Sequence, residues 1–271
     1  LNLTRCKVVG SYAAMGGAVY GLNSEILLTG TEVRDCNAYQ GGGLHTSECT
    51  GTLDGVTFAK NRAEFVFLYE PDDTDPNILV PVFDPGIILT QGGAYFSESS
   101  PMLIRNSVFT DNFATSSGGA IYYSGNDQTP AESMPVLHNS LLTGNTVNRD
   151  GGAVSVDWFA KVKLSNCTIT GNRAIGALGG GAGLGGGLYC GYESDVTVVD
   201  SILWKNAAME GAQVAVTNGF EYGGRSSRLT ITHTTIGPDY DPNGFESLQA
   251  AGGTAGAPSA GERLVDGQTL T

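Results

Sequence analysis

One phrase recurs along the chain and constrains what it can fold into. It is clearest at residues 106–122, where Phe109 stands three places before Asn112 and a Gly-Gly pair follows at Gly118 and Gly119. The second member of this apolar–polar pair recurs at Ser11, Cys36, Asn61, Asn112, Asn145, Asn172 and Asn206. The steps between these positions are 25, 25, 51, 33, 27 and 34 residues. A period in the twenties with variable insertions is the signature of a solenoid.

The segments between these marks are short and rich in β-branched residues, as at residues 56–58, 141–143, 196–199 and 229–232. Most alternate apolar and polar residues, which is typical of half-buried strands. No stretch keeps a helical apolar spacing over ten residues. The sequence therefore predicts an all-β fold, a right-handed single-stranded parallel β-helix with loop insertions. We expect about eight or nine coils, which at an inter-strand spacing of roughly 4.8 Å give a rod about 40 Å long.

We interpret the recurrent Asn as a structural residue at one corner of each coil. Its side-chain amide can bond the backbone at the bend and the Asn of the next coil, which would form a ladder. Ser11 and Cys36 replace it in the first two coils, so we expect the ladder to run through the later ones. The Gly-Gly pair allows a second tight bend, and the apolar residue after it is expected to point into the core.

The rhythm of the repeat also predicts the domain organisation. We expect residues 1–236 to form the β-helix, with insertions near residues 64–91, 124–135 and 175–187. Residues 237–271 are expected to form an irregular final coil or a linker to a further region. Insertions in solenoids fall at turns and often carry binding residues, so these loops are where we expect a partner to bind.

The chain is acidic, with a net charge of −13. Nucleic acids and anionic membranes attract basic patches, so neither is an expected partner. The acidic balance also disfavours pectin or alginate as a substrate unless metal ions intervene. No apolar run is long enough to span a bilayer, so we expect no direct membrane insertion. Because the chain opens with Leu1 inside a coil, we expect it to be part of a longer protein.

The five cysteines form no CxxC pair, which argues against a zinc site or a redox pair. We expect most of them to be small buried side chains. A single disulfide among Cys6, Cys36 and Cys49 would fit an extracellular setting, and the two others are Cys167 and Cys190.

The combination of residues 109–112 (FTDN) with residues 118–121 (GGAI) resembles the repeats of the chlamydial polymorphic membrane proteins. Residues 58–61 repeat the first half of the phrase unaltered, and the looser pattern covers about residues 8–215. Residues 200–206 (DSILWKN) are similar to a coil of related β-helices, with Asp where those have Asn. The resemblance implies an extracellular or cell-surface protein that serves as a passenger or an adhesive stalk.

Polysaccharide-cleaving enzymes are the rival interpretation, since they are well-known catalytic β-helices. They need two or three carboxylates on neighbouring coils, and lyases also need a basic residue. Asp111, Asp150 and Asp157 are the candidates, with His138 and Arg149 near them. Asp111, however, stands directly before a corner Asn, which is a tolerant turn position. The histidines, which fall at different repeat positions, are His45, His138 and His233. We therefore predict no catalytic residue and a protein that is not an enzyme.

One stretch resembles a metal-binding loop. Asp239, Asp241, Asn243 and Gly244 stand at positions one, three, five and six of a calcium-loop pattern. The twelfth position is Ala250 rather than Glu, so the bidentate ligand of that pattern is missing. The alternative is an ordinary turn, because Asp, Pro, Asn and Gly are the common turn residues. Asp239, Asp241 and Asn243 are thus the predicted metal ligands, and calcium is the cofactor they suggest.

Aromatic side chains in the loops could stack on sugar rings. The candidates are Phe65, Phe67, Tyr69, Trp158 and Phe159, and packing over the rod is the alternative. A Thr-x-Thr phrase at residues 230–232 finds a partner only at residues 168–170, which is too few for an ice-binding face.

These observations predict a non-catalytic extracellular or cell-surface β-helix, either adhesive or structural. Its loops would bind a protein or glycan on a cell surface, or neighbouring copies in an assembly. The alternative function is a polysaccharide lyase or glycoside hydrolase of the β-helix type.

Overall fold

The computed structural model describes residues 1–64, 68–71, 79–82, 89–126, 134–176, 183–217, 226–237, 249–251 and 269–270. Within these ranges the chain is built from strands and turns. The strands of the first four coils are β1 (Asn2–Thr4), β2 (Lys7–Val9), β3 (Val19–Leu22), β4 (Glu25–Thr29), β5 (Glu32–Arg34), β6 (Asn37–Ala38), β7 (Leu44–Ser47), β8 (Thr50–Asp54), β9 (Thr57–Ala59), β10 (Arg62–Ala63), β11 (Leu68–Pro71), β12 (Leu79–Val82), β13 (Tyr95–Glu98), β14 (Met102–Arg105), β15 (Val108–Thr110), β16 (Phe113–Ala114) and β17 (Ile121–Ser124).

The later coils continue the same order. Their strands are β18 (Val136–His138), β19 (Leu141–Thr143), β20 (Thr146–Val147), β21 (Val154–Asp157), β22 (Lys161–Ser165), β23 (Thr168–Thr170), β24 (Arg173–Ala174), β25 (Leu188–Cys190), β26 (Asp195–Val199), β27 (Ile202–Trp204), β28 (Val214–Thr217), β29 (Arg228–Thr232), β30 (Thr235–Ile236), β31 (Gln249–Ala251) and β32 (Thr269–Leu270).

Each coil contributes one strand to each of three long parallel sheets, and five of the coils add a short strand to a fourth. Sheet 1 runs β1-β4-β8-β14-β18-β22-β26-β29, and β32 joins its last strand in the antiparallel direction. Sheet 2 runs β2-β5-β9-β15-β19-β23-β27-β30, sheet 3 runs β6-β10-β16-β20-β24, and sheet 4 runs β3-β7-β13-β17-β21-β25-β28-β31. The described strands therefore stack into eight coils, and the predicted parallel β-helix is confirmed.

The core lies inside the coils, where alternate residues of each strand stack on their counterparts in the next coil. Phe58 and Phe109, for example, occupy one register position of sheet 2 and stack with their ring centroids 5.0 Å apart. Both are fully buried, as are Leu53 and Ile104 at a register position of sheet 1. Burying a side chain of this size contributes about 1.5–3 kcal/mol. Apolar residues at the strand positions of the repeat are thus what closes the coil.

The predicted ladder of corner asparagines is present. Its members are Asn61, Asn112, Asn145, Asn172 and Asn206, and all are buried. Each side-chain Nδ2 donates to the Oδ1 of the next member at 2.8–3.0 Å. Each Oδ1 from Asn112 onward also accepts the backbone N–H of the previous member at 2.9–3.0 Å.

Two residues outside the pattern complete the ladder at its ends. The backbone N–H of Cys36, which holds the Asn position in the second coil, donates to Asn61 Oδ1 at 3.2 Å. At the other end Asn206 Nδ2 donates to Gln213 Oε1 at 2.8 Å. The repeat did not predict Gln213, because it lies seven residues along the same coil rather than at the Asn position.

The Gly-Gly pair makes the second bend, as predicted. Gly118 has a φ of 68°, in the left-handed region. A Cβ on Gly119 would lie 2.2 Å from the carbonyl oxygen of Gly152 in the next coil. Ile121, the apolar residue that follows, is fully buried. Here glycine is required first by backbone conformation and then by the close approach of two coils.

A second ladder of hydroxyl groups was not predicted. At the corner between sheets 1 and 2, the Ser107 backbone N–H donates to Ser140 Oγ at 3.2 Å. The Val56 backbone N–H donates to Ser107 Oγ at 3.1 Å, and Cys167 donates likewise to Ser201 Oγ at 3.1 Å. These short hydroxyls satisfy backbone donors where the chain turns away from sheet pairing.

One pairing from the sequence was wrong. The sequence pairs the Thr-x-Thr phrases at residues 168–170 and 230–232, but they lie on β23 in sheet 2 and β29 in sheet 1. Both phrases alternate Thr with Ile, so the sequence pattern alone does not show that they belong to different sheets.

The structure describes only parts of the predicted insertions. β11 and β12 pair with each other in the antiparallel direction, outside the four parallel sheets. Most of the insertions near residues 64–91, 124–135 and 175–187, and most of residues 237–271, lie outside the described residues, so these boundaries stay predictions. All five cysteines are free thiols, and four of them are buried. Among the described residues, none forms a helix of the length and hydropathy that crossing a bilayer requires.

Candidate functional site

The outward face of sheet 4 carries a row of aromatic rings. We call Tyr20, His45, Phe96 and Tyr122, which occupy one register position in four successive coils, the aromatic row. Neighbouring rings lie 5.2, 4.6 and 5.2 Å apart between centroids. His45, Phe96 and Tyr122 are buried although they do not belong to the core inside the coils, whereas Tyr20 is exposed. The row is therefore covered by other parts of the chain except in the first coil.

Two carboxyl groups lie beside this row and form what we call the acid pair, Asp150 and Asp157. Asp150 directly precedes a Gly-Gly bend, and Asp157 ends β21. They are 8% and 4% exposed. Ser155 Oγ donates to Asp157 Oδ2 at 3.0 Å, and the Leu184 backbone N–H donates to Asp150 Oδ1 at 3.1 Å. Asp157 Oδ1 is buried and has no hydrogen-bond partner among the described residues.

Burial dominates the electrostatics of the acid pair. The pKa of Asp157 is raised to about 7, mainly by burial and also by the neighbouring charge of Asp150, against hydrogen bonds from Ser155 and Tyr122 and the charge of Arg149. Burial also raises the pKa of Asp150, against the Leu184 N–H and the Arg149 guanidinium. Arg149 Nη2 is 4.0 Å from Asp150 Oδ2. Asp157 therefore changes charge near neutral pH.

The structure brings together only part of the catalytic set considered from the sequence. Asp150, Asp157 and Arg149 are neighbours, as that hypothesis required. Asp111 is exposed in a left-handed corner with a φ of 55°, which confirms its interpretation as a turn residue. His138 lies on β18 in sheet 1, where its Nδ1 is 3.0 Å from Ser165 Oγ.

The predicted metal ligands Asp239, Asp241 and Asn243 lie outside the described residues, so calcium stays a prediction. In the part of the chain that the structure describes, no group of three or more His, Cys, Asp or Glu side chains could hold a metal ion.

Two aromatic rings are exposed at the end of sheet 4, and we call Trp158 and Tyr192 the aromatic pair. Each follows a strand of sheet 4, β21 for Trp158 and β25 for Tyr192. Their centroids lie 4.9 Å apart with an interplanar angle of 11°, and the residues are 44% and 38% exposed. Because one face of the indole stacks on Tyr192, only its other face and its edges can contribute to that exposure.

The backbone at the aromatic pair is left-handed, as it is at the same corner in Asn23, Glu48 and Ser99, but here two consecutive residues adopt that conformation. Trp158, Phe159, Tyr192 and Glu193 have φ values of 51°, 62°, 47° and 61°. A bulky residue in the left-handed region is uncommon and costs on the order of 1–3 kcal/mol. The two corners are tied together by a backbone bond from the Phe159 N–H to the Tyr192 carbonyl at 3.0 Å.

The sequence had marked Trp158 and Phe159 as candidates for sugar stacking, with packing over the rod as the alternative. The exposure of Trp158 disfavours that alternative. Tyr192 was missed, although aligning residues 157–160 with 191–194, the corners that follow β21 and β25, would have placed it beside Trp158. The side chains of Phe65, Phe67 and Tyr69 lie outside the described part of the chain.

Comparison with known proteins agrees with this architecture. A family model described as "Right handed beta helix region" matches residues 1–184 and residues 90–239. No curated protein and no solved structure matches the chain. The family match confirms the predicted hand of the coil, and it does not bear on the narrower resemblance to the chlamydial proteins. The chain belongs to the right-handed β-helix family.

Proposed function

We propose that the chain is a non-catalytic extracellular or cell-surface β-helix protein that binds a glycan through Trp158 and Tyr192. The observation that carries the proposal is the exposed, stacked aromatic pair. Flat aromatic rings with a polar edge suit sugars, which present apolar C–H faces and a rim of hydroxyl groups. The family includes both enzymes and non-catalytic surface proteins, so the argument depends on this site rather than on the fold.

The pair has properties that packing alone does not require. Asn23, Glu48 and Ser99 occupy the corresponding corner in earlier coils, and all three are polar. Trp158 and Tyr192 place large apolar rings in solvent at the same corner, on strained backbone.

The acid pair supports a non-catalytic protein. A catalytic acid must come within hydrogen-bond reach of its substrate. Asp150 and Asp157 are both more than nine-tenths buried, and each accepts a hydrogen bond from within the fold. The acidic exterior and the resemblance to chlamydial surface repeats support the extracellular setting.

One observation favours the enzyme as a second candidate. A carboxyl group with a pKa of about 7 suits a general acid at neutral pH, and Arg149 beside Asp150 could serve a lyase or hydrolase. Assays for reducing sugars and unsaturated products on neutral and acidic polysaccharides distinguish the two functions. If the protein cleaves a polysaccharide and Asp157→Asn abolishes the cleavage, the protein is an enzyme and the non-catalytic function is wrong.

The binding function is tested on a glycan array and then by fluorescence. The chain has two Trp residues, so Trp204→Phe leaves Trp158 as the single indole reporter. We expect a bound glycan to change Trp158 fluorescence, and Trp158→Ala to weaken binding about tenfold or more. Trp204→Ala, which removes the other half-exposed indole from sheet 2, should leave binding unchanged. Equal affinities of the Trp158→Ala and wild-type proteins would contradict the proposal.

A further inference from the structure

The aromatic pair belongs to a longer line of corner residues. Ser99, Gly125, Trp158 and Tyr192 follow the sheet 4 strands of four successive coils, and we call them the corner row. Backbone bonds hold neighbouring coils in register along it, from the Ser99 N–H to the Ser124 carbonyl at 2.9 Å and from the Gly125 N–H to the Trp158 carbonyl at 3.0 Å. At roughly 4.8 Å per coil the row is about 14 Å long. It therefore runs along the rod axis over the length of a short oligosaccharide.

The groups next to Trp158 on the earlier coils are small and uncharged. Gly125 places no side chain at the corner beside the indole. Asn126 is exposed, and its Nδ2 donates to Ser99 Oγ at 3.0 Å. A primary amide has two N–H donors and an acceptor oxygen, and sugar hydroxyls both donate and accept. The row thus offers a ring surface at one end and neutral polar groups at the other.

Two arginines near the corner row lie beside carboxylates. Arg228 forms an ion pair with Asp195, and Lys161 stands opposite Asp195 in the register of sheet 1. Arg149 lies 4.0 Å from a carboxylate oxygen of the acid pair. Sulfate or uronate groups are recognised by Arg and Lys whose charge is available to them. The charges of Arg228 and Arg149 are thus already offset.

Building on the proposed function, we infer that the ligand is an uncharged oligosaccharide that lies along the corner row. One sugar unit stacks on the exposed face of Trp158, and the next units reach Asn126 and Ser99. Anionic glycans such as polyuronates and sulfated chains are excluded by the carboxylates around the row.

The test titrates the Trp204→Phe protein with matched sets of soluble oligosaccharides. The neutral set contains β-linked glucose, mannose, xylose and N-acetylglucosamine hexamers, and the anionic set contains galacturonate, alginate and sulfated oligomers. We expect at least one neutral oligomer to bind about tenfold more tightly than any anionic one. Its affinity should change less than about twofold between about 50 and about 500 mM salt, because no ion pair is formed.

Asn126→Ala should weaken binding of the neutral oligomer about threefold to tenfold, since a hydrogen bond to sugar is lost. Asn2→Ala, which removes an exposed amide from β1 in the first coil, is the matched control and should have no effect. Stronger binding of an anionic oligomer that still requires Trp158 would overturn the uncharged ligand while the glycan-binding function stands. If no oligomer perturbs Trp158, the proposed function itself fails.

Discussion

Asp157 is a carboxylic acid at a position where a charge is costly. Only 4% of its surface is exposed, and it lies beside Asp150. One of its oxygens has no hydrogen-bond partner among the described residues. The nearest cation, Arg149, is close to Asp150 and only partly offsets the charge on Asp157. The neutral form of Asp157 is therefore the one that suits the folded protein.

This residue makes stability depend on pH. A folded pKa of about 7, above the unperturbed 3.8, means that stability is complete below about pH 4 and is lost as pH rises through about 7. A difference of about 3 between the folded and unfolded pKa values corresponds to at most roughly 4 kcal/mol of unfolding free energy. We expect urea unfolding to give a lower free energy of unfolding at pH 8 than at pH 5. Asp157→Asn should remove most of that difference, whereas exposed Asp35→Asn should retain it. A wild-type protein equally stable at both pH values would contradict the shift.

The asparagine ladder acts at the scale of the coil, because it joins one corner to the next. Asn145, in its middle, accepts from Asn112 and donates to the Phe109 carbonyl and to Asn172 Oδ1. It is fully buried, so no water can replace these bonds. The corner therefore depends on an amide, which both donates and accepts, rather than on a polar residue in general.

Replacing that amide should be costly. Asn145→Ala leaves buried donors of Asn112 without an acceptor, and each unsatisfied group costs about 1–3 kcal/mol. We expect urea unfolding to show a loss of about 3 kcal/mol or more. The half-exposed Asn148, three residues along the same coil, is the control, and its change to Ala should cost less than about 1 kcal/mol. Similar losses for the two variants would show that the ladder contributes little.

Two variants distinguish the two reasons why glycine is needed at bends, which are the close approach of neighbouring coils and a left-handed backbone. Gly119→Ala would place a Cβ 2.2 Å from the Gly152 carbonyl oxygen, so two coils would have to move apart. Gly10→Ala meets nothing within 4 Å but has a φ of 68°, so it adds backbone strain alone. We expect Gly10→Ala to lower the unfolding free energy by about 1 kcal/mol, and Gly119→Ala to lower it by several times as much. Equal effects would mean that the close approach of coils is not limiting.

For the whole molecule, the sequence was sufficient to predict the solenoid, because each coil repeats the same inward and outward alternation. Phe58, Phe109 and Leu142 could be assigned to the core from apolarity and spacing. The aromatic row could not, since Phe96 and Tyr122 face outward and are covered by other parts of the chain. Apolarity marks burial without saying which side of the sheet is buried. That Asp150 and Asp157 lie close enough to interact was only a conjecture, because the sequence does not show how the chain folds back at the Gly-Gly bend between them.

The ladder also has a direction. From Asn61 to Asn206 every amide-to-amide bond runs from the Nδ2 of the earlier coil to the Oδ1 of the later one, while each Nδ2 also donates to a backbone carbonyl of the earlier coil. Amides aligned in this way polarise one another, so a central bond is stronger than a terminal one. Their dipoles add along the rod, with the positive end toward the last coils and the negative end toward the first. The interior of this acidic rod therefore has a dipole along its axis, and its two ends differ in partial charge even where their shapes are similar.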